Sequence, residues 1–283
     1  MKLQSADLAL LRDLLAVLPH PAQPCFLVGA GARVLGLDER FGLAGARATL
    51  DWDFAVRVGS WHEWELLRAR LLDAPGRPFR ATSAQHRLEH AQGRQLDLVP
   101  FGGLETGAGE IVWPDATRMT VHGFAEAAVH CDVIEVERGL LVHVASLPSL
   151  ALLKLHAYLD RRTRGVTKDI QDFDWIARHY DFPSEHVLRI HDELADRLIA
   201  SGTEFSEAGA MLLGVDVARI HSMPVIAPVR RLLSESLDPH SRVIEDVLKT
   251  GRGLDEERRQ ALRAQLVARM QAFGRGLGDA RAS

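Results

Sequence analysis

The chain has 283 residues, of which 47% are hydrophobic and 25% are charged, and its formal net charge is −4. This length provides for one or two domains, and the composition is that of a globular protein rather than a disordered one. The acidic balance disfavours a broad surface for coating nucleic acid, and two cysteines are too few for a disulfide framework.

The apolar segments do not have the pattern of a membrane protein. No apolar run reaches the ~20 residues that a helix needs to cross a bilayer. The first residues lack the charged region, the apolar stretch and the small-residue cleavage site of a secretory signal. We therefore expect no membrane partner. Because Cys25 and Cys131 are the only cysteines, we expect a cytoplasmic protein in a reducing environment.

Helices and strands alternate in the first half of the chain. Leucines between positions 8 and 18 keep a helical period that follows Ser5 and stops before Pro19. Residues 25–28 predict a short apolar strand, and the glycine-rich residues 29–33 turn from it into a second helix. The further elements predicted in this half are a strand at 50–57, a helix at 61–72, and β-hairpins at 86–99 and 134–144.

Strand patterns end near residue 146, and helical periods replace them. The predicted helices lie at 148–164, 169–180, 184–199, 204–218, 225–236, 241–249 and 255–273. We therefore predict an α+β protein in two domains. Residues 1–145 would form an N-terminal domain with a mixed β-sheet, and residues 146–283 an all-helical domain.

The strand at 50–57 has two faces of opposite character. Its even positions from 50 to 56 are all apolar, which is typical of a strand that lies on a core. Asp51 and Asp53 share the other face, roughly 6.6 Å apart along the strand. Two such carboxylates repel each other unless a cation lies between them, and a pair of divalent ions about 3.5–4 Å apart suits this geometry. A structural alternative is neutralisation by arginines such as Arg47 and Arg57.

Asp97 is the third carboxylate candidate. It lies in the apolar segment 96–101, where an unpaired charge is costly to bury. This segment alone is equally consistent with an aspartate at a strand end that is solvated or bound to an arginine. Beside Asp51 and Asp53, we interpret Asp97 as a third ligand for metal-assisted phosphoryl chemistry.

Lysine is rare in this chain, because only Lys2, Lys154, Lys168 and Lys249 occur among 34 basic residues. Lys154 lies in a helix that is apolar nearly all round, so its charge requires an anion. That anion is a substrate phosphate or a structural carboxylate, unless the side chain extends to the surface. Lys168 opens the next helix, where an i,i+4 pair with Asp172 is an ordinary helical feature.

Motifs of other chemistries do not occur in the sequence. There is no His-Glu-x-x-His, Cys-x-x-Cys or Gly-x-Ser-x-Gly, and no phosphate loop that ends in Gly-Lys-Ser/Thr. A strand-to-helix turn such as residues 29–31 can bring backbone N–H groups against a phosphate. Such turns are more often glycine-rich for steric reasons alone.

These segments, in this order, resemble the nucleotidyltransferase superfamily with the polymerase-beta-like fold, and most closely the bacterial predicted nucleotidyltransferases related to the AbiEii toxins. The matching segments are Gly29-Ala30 after an apolar strand, residues 47–54, 96–102, 148–154 and 168–172. The resemblance spans about residues 25 to 180. Its specific part is the Asp-x-Asp strand with Lys-Asp-x-x-Asp downstream.

The resemblance implies a role for each matching polar residue. Asp51, Asp53 and Asp97 would be catalytic and would hold two Mg²⁺ ions, or Mn²⁺, with Asp97 on the ion that activates the acceptor hydroxyl. The implied nucleotide-binding residues are Gly29, Ala30, Arg33, Arg47, Thr49, Lys154, Lys168 and Asp172.

We therefore expect a magnesium-dependent nucleotidyltransferase that moves a nucleoside monophosphate from an NTP to an acceptor hydroxyl. The resemblance implies an AbiEii-like toxin of a type IV toxin–antitoxin system, with an antitoxin partner and with tRNA, another RNA or a protein as acceptor. Arg161, Arg162 and Arg164 could contact an acidic acceptor. An antibiotic or another small molecule is an alternative acceptor.

A binding module that has kept the fold and lost the chemistry is the rival hypothesis from another class. Two departures from the superfamily pattern motivate it. Ala30 stands where the pattern has Gly or Ser, and residues 36–46 form an insertion before Asp51. The intact carboxylates argue against it, because a protein without the chemistry has no need to keep repelling charges.

Overall fold

The computed structural model describes residues 3–18, 24–43, 51–107, 109–249 and 255–279. The chain divides into two compact units, Met1–Ser146 and Leu147–Ser283. The first unit contains a mixed sheet with helices, and the described part of the second is helical. The predicted α+β class is therefore confirmed.

A seven-stranded mixed sheet forms the centre of the first unit. Its strands are β1 (Cys25–Val28), β2 (Asp51–Arg57), β3 (Phe79–Ala81), β4 (Arg87–His90), β5 (Gln95–Phe101), β8 (Cys131–Glu137) and β9 (Leu140–Ala145). Their order is β3-β4-β5-β2-β1-β9-β8. The pairs β2/β5 and β1/β9 are parallel, and the other pairs are antiparallel. A separate two-stranded sheet consists of β6 (Glu110–Val112) and β7 (Arg118–Thr120).

The described part of this unit has five helices, three of which the sequence pattern predicts. They are α1 (Ser5–Val17), α2 (Gly29–Arg33), α3 (Glu39–Phe41), α4 (Trp61–Leu72) and α5 (Phe124–Val129). A π-helical segment, Val34–Asp38, joins α2 to α3. The segment that we interpreted as an insertion therefore begins inside continuous helical structure.

Helix α1 covers one face of the sheet. The Trp52 indole nitrogen donates a hydrogen bond to the buried Asp7 carboxylate at 3.1 Å, and the Arg94 Nε donates to the same oxygen at 2.7 Å. Leu10 and Leu14 of α1 are fully buried. Since Trp52 and its neighbours Asp51 and Asp53 point to opposite faces of β2, α1 packs on the face away from the two aspartates.

The second unit is an assembly of helices. They are α6 (Leu147–Arg161), α7 (Lys168–Arg178), α8 (Ser184–Arg189), α9 (Ala195–Ser201), α10 (Ala208–Ile220), α11 (Met223–Glu235), α12 (Arg242–Leu248) and α13 (Glu256–Asp279). Helices α10 and α13 approach each other through glycine. A Cβ on Gly214 would collide with the Phe273 carbonyl oxygen, and a Cβ on Gly276 would collide with that of Met211.

Within the described ranges, no helix has both the length and the apolar character that a membrane span requires.

Candidate active site

Strand β2 separates apolar from acidic side chains, as its sequence predicts. Trp52 and Phe54 are 2% and 1% exposed on the core face, whereas Asp51 and Asp53 are half-buried on the other. A strand turns successive side chains to opposite faces, so this separation follows from the alternation alone. Leu50, which opens the predicted apolar row, lies outside the described residues.

The sheet register brings the third carboxylate to the same face. Asp53 of β2 lies directly opposite Asp97 of β5, and Asp51 lies opposite Gln95. Register partners of adjacent strands point to the same side, and adjacent strands are about 4.8 Å apart. The three predicted carboxylates therefore occupy neighbouring positions on one face, which we call the carboxylate face (Asp51, Asp53 and Asp97).

An arginine that the sequence analysis did not single out holds Asp97. Arg87 of β4 is the cross-strand partner of Asp97, and its Nε and Nη2 each donate to one carboxylate oxygen at 2.6 Å. This hydrogen bonding, together with the charges of Asp97, Asp51 and Asp53, raises the pKa of Arg87 above its ordinary value. The hairpin predicted at 86–99 brings the two strands together but does not give this pair, because a two-residue turn at 92–93 would set position 88 opposite position 97, and the observed register sets 87 opposite 97.

The glycine turn lies against the second aspartate of β2. Gly29 has a φ of +68°, and a Cβ at this position would collide with the Asp53 carboxylate. Both facts require glycine here, because other residues resist the left-handed region and would displace the aspartate. Gly29 is thus in contact with the carboxylate face, and Ala30 next to it is half-buried.

Arg33, an expected nucleotide-binding residue, is buried. Its side chain is 1% exposed and forms an ion pair with the buried Asp38. Arg47 and Thr49, the other two nucleotide candidates before β2, lie outside the described residues.

Lys154 lies in a buried ionic cluster within the second unit. Its Nζ donates to Asp172 Oδ2 at 2.6 Å and to Asp169 Oδ1 at 3.4 Å, and all three residues are at most 5% exposed. The Arg161 Nη2 lies 2.9 Å from the other oxygen of Asp169. The anion that Lys154 requires is therefore a structural carboxylate of the neighbouring helix α7 in this structure.

Lys168 differs from Lys154 in burial and in its ionic contacts. It opens α7 with an exposed side chain and forms no ion pair with any residue that the structure describes. The expected i,i+4 pair with Asp172 is not formed, because Asp172 turns inward to Lys154. Lys168 is therefore open to an anion from solution.

The donor chemistry of the carboxylate face suits a hard divalent cation, since Mg²⁺ and Mn²⁺ prefer carboxylate oxygens. As the side chains stand, no three His, Cys, Asp or Glu residues in the described ranges are grouped closely enough to hold an ion. Both oxygens of Asp97 are engaged by Arg87. The residue types therefore fit a cation, on the condition that Asp97 exchanges Arg87 for it.

Comparison with known proteins gives a family match over most of the chain and a distant structural likeness. The family model described as nucleotidyl transferase AbiEii toxin, type IV TA system, matches residues 14–279. The solution structure of the antibiotic-resistance factor ANT(2'')-Ia is similar at 16% identity, over 71% of this chain and 97% of that chain, with a TM-score of 0.39. A likeness this distant carries no argument about activity. No curated protein matched the chain.

Proposed function

Because the chain belongs to the AbiEii family of nucleotidyl transferase toxins of type IV toxin–antitoxin systems, we propose that its nucleotidyl transfer takes place on the carboxylate face. The observation that carries this proposal is the register of β2 and β5. It sets Asp53 opposite Asp97, and Asp51 is two residues from Asp53 on the same side. Three acidic side chains on one sheet face have no structural benefit unless cations neutralise them.

The reaction forms one bond and breaks one. The oxygen of an acceptor hydroxyl bonds to the α-phosphorus of an NTP, the bond from that phosphorus to the pyrophosphate oxygen breaks, and the hydroxyl proton passes to solvent. Divalent ions, when bound, stabilise the charge on the phosphate oxygens and favour ionisation of the hydroxyl. The protein contributes mainly position and charge, because phosphoryl transfer requires little covalent work from side chains.

Each carboxylate has a proposed part in this scheme. Asp51, Asp53 and Asp97 would hold Mg²⁺, or Mn²⁺, through their oxygens. The Asp53 carboxylate lies against the Gly29 backbone, in the space that a Cβ on residue 29 would fill. Asp97, at 8% exposure, would serve the acceptor side, as the family resemblance implies.

We propose that Lys154, Lys168 and Asp172 act in binding the triphosphate of the NTP and have no part in the chemical step. Lys168 is exposed at the start of α7, where a phosphate would gain both its charge and the positive end of the helix dipole. Lys154 is buried and donates to Asp172 at 2.6 Å and to Asp169 at 3.4 Å, so Lys168 is the lysine of the two that is accessible to a phosphate. Alanine at Lys168 is expected to weaken NTP binding without loss of helical structure.

The proposed substrates and partners follow from the family. Membership implies a nucleotide substrate and an antitoxin. We propose tRNA, another RNA or a protein as acceptor. Arg164, exposed next to Arg162, is a basic side chain available to such an acceptor, whereas Arg162 is paired with Glu235 at 2.5 Å.

The metal and nucleotide site is tested by calorimetry of Mg²⁺–NTP binding. Asp51→Asn and Asp53→Asn proteins are expected to bind at least about tenfold more weakly than the parent, because each loses a ligand charge. Asp73→Asn is the matched control, since Asp73 is an exposed aspartate outside the carboxylate face. Parent-like affinity in both β2 variants would contradict the proposal.

The acceptor is tested separately with labelled nucleotides. The parent protein and the Asp53→Asn variant are incubated with each labelled NTP and with total RNA or total protein. Label that appears in one fraction with the parent alone identifies the acceptor class. If neither fraction is labelled, the acceptor is a small molecule or the protein does not catalyse the transfer.

A further inference from the structure

Arg87 occupies both oxygens of the most buried carboxylate on the carboxylate face. Its side chain is 31% exposed and that of Asp97 is 12% exposed, and the two hydrogen bonds at 2.6 Å form a fork from Nε and Nη2. Paired guanidinium and carboxylate groups in this geometry are strong and directional. The contact crosses from β4 to β5 between register partners, so the sheet itself holds the two groups together.

The charge of Arg87 acts on the whole face and not on Asp97 alone. Asp51 and Asp53 also stabilise the charged guanidinium. Three carboxylates near one arginine leave an excess of negative charge among these four side chains. Arg87 therefore offsets part of the repulsion among the three carboxylates. A divalent cation in this position would offset more of that repulsion.

We propose that Arg87 is a positioning residue that competes with the divalent cation for Asp97 and so sets the affinity of the carboxylate face for metal. This inference rests on the proposed function, because it assumes that the face binds the cation. Arg87 holds Asp97 while the cation is absent and releases it when the cation binds. The face then keeps its aspartates in place without a permanently bound ion.

Removal of the guanidinium has a predictable direction. A positive charge within a few ångströms of a divalent ion weakens its binding by a factor on the order of ten or more in a half-buried site. Arg87→Gln removes that repulsion and frees both oxygens of Asp97, so metal affinity increases. Arg87→Lys keeps the charge but lacks the planar fork, so its affinity falls between those of the parent and Arg87→Gln.

The test is Mn²⁺ binding to the protein alone, followed by the electron paramagnetic resonance signal of free Mn²⁺. The parent, Arg87→Gln, Arg87→Lys and Asp53→Asn are titrated without nucleotide. Arg118→Gln is the matched control, because Arg118 is also a hairpin arginine paired across strands, with Glu110 at 2.8 Å. We expect about tenfold tighter binding in Arg87→Gln, parent affinity in Arg118→Gln, and loss of the site in Asp53→Asn.

Thermal unfolding with and without Mn²⁺ supplies a second readout, which tolerates a destabilised variant. Without the ion, Arg87→Gln is expected to melt below the parent, because Asp97 loses its partner. Mn²⁺ should then raise its Tm more than it raises that of the parent, since the tighter ligand stabilises more at equal concentration. A purely structural role for Arg87 would lower Tm and leave the response to Mn²⁺ unchanged.

The possible failures are distinguishable. If the parent binds Mn²⁺ at a site lost in Asp53→Asn, and Arg87→Gln binds it equally or more weakly, the competition is overturned and the metal site stands. If no protein in the series binds Mn²⁺ at a site that Asp53→Asn removes, the metal site itself is wrong, and the role of Arg87 is refuted with it.

Discussion

Replacement of Lys154 by methionine should destabilise the helical unit strongly. Lys154 is 5% exposed, with its Nζ 2.6 Å from Asp172 and 3.4 Å from Asp169. Removal of one partner from a buried ion pair leaves an uncompensated charge, at a cost of about 3–5 kcal/mol. Since Arg161 still faces Asp169 at 2.9 Å, the loss falls mainly on Asp172, and we expect about 3 kcal/mol.

The assay is urea unfolding followed by far-ultraviolet circular dichroism. Addition of Asp172→Asn to the Lys154→Met protein removes the stranded charge and should recover most of the lost free energy of unfolding. Arg258→Met is the control, because both side chains of the 3.6 Å pair between Arg258 and Asp255 are exposed, at 76% and 61%, and its loss should change the free energy by less than about 1 kcal/mol. A Lys154→Met protein within about 1 kcal/mol of the parent would refute the reasoning, as would a double variant no more stable than the single one.

Three further changes have expected outcomes. Gly276→Ala should lower the free energy of unfolding by about 1–3 kcal/mol, because its Cβ collides with the Met211 carbonyl oxygen. Gly29→Ala should lower it by at least about 1 kcal/mol, because Gly29 has a φ of +68°. The same change should weaken Mn²⁺ binding, because the new Cβ would displace the Asp53 carboxylate. Burial raises the pKa of Glu207, so the stability that it contributes is present below the ordinary glutamate value and is lost as pH rises through the raised one. Glu207→Gln should remove that loss in unfolding measured across this pH range.

Matched controls separate the stated causes from general damage. Gly278→Ala is the control for Gly276→Ala, because Gly278 lies in the same helix and a Cβ there would meet no atom. Gly42→Ala is the control for Gly29→Ala, because Gly42 also has a positive φ and a Cβ there would meet no atom. Gly278→Ala should leave stability unchanged or slightly higher, and Gly42→Ala should leave Mn²⁺ binding at the parent level. Equal losses in target and control would contradict the collision argument, and a Glu207→Gln pH profile parallel to the parent's would contradict the raised pKa.

Local patterns predicted the longer helices, the central strand β2 and its acidic face, but not the short elements α3, α5, β6 and β7. Helix α4 begins at Trp61 and ends at Leu72, as its period predicts, because Ser60 caps it and its apolar residues recur at helical spacing. The sides of β2 follow from alternation alone. To predict that Asp97 lies beside Asp53, it was enough to assume that β5 pairs with β2 and that both side chains point to the same face of the sheet.

Partners from other elements were beyond those patterns. The apolar surroundings of Lys154 predicted burial and a need for an anion, but the choice of Asp172, eighteen residues away on the next helix, depends on how α6 and α7 pack. Arg33 carries no local sign of its burial, because a short glycine-rich turn looks the same whether its arginine faces solvent or the core. The pairing of Arg87 with Asp97 depends on the exact register of the hairpin, which alternation alone does not supply.

The strand order has a consequence for synthesis of the chain. All three strands that carry Asp51, Asp53, Asp97 and Arg87 lie between positions 51 and 101, whereas the outer edge of β1 is closed only by β9, Leu140–Ala145. A growing chain can therefore assemble its acidic strands while β1 still presents unpaired backbone groups. During that interval a ribosome-bound chain would carry its acidic strands in place together with an exposed strand edge, which is a feature that favours wrong pairing until the β8–β9 hairpin is added.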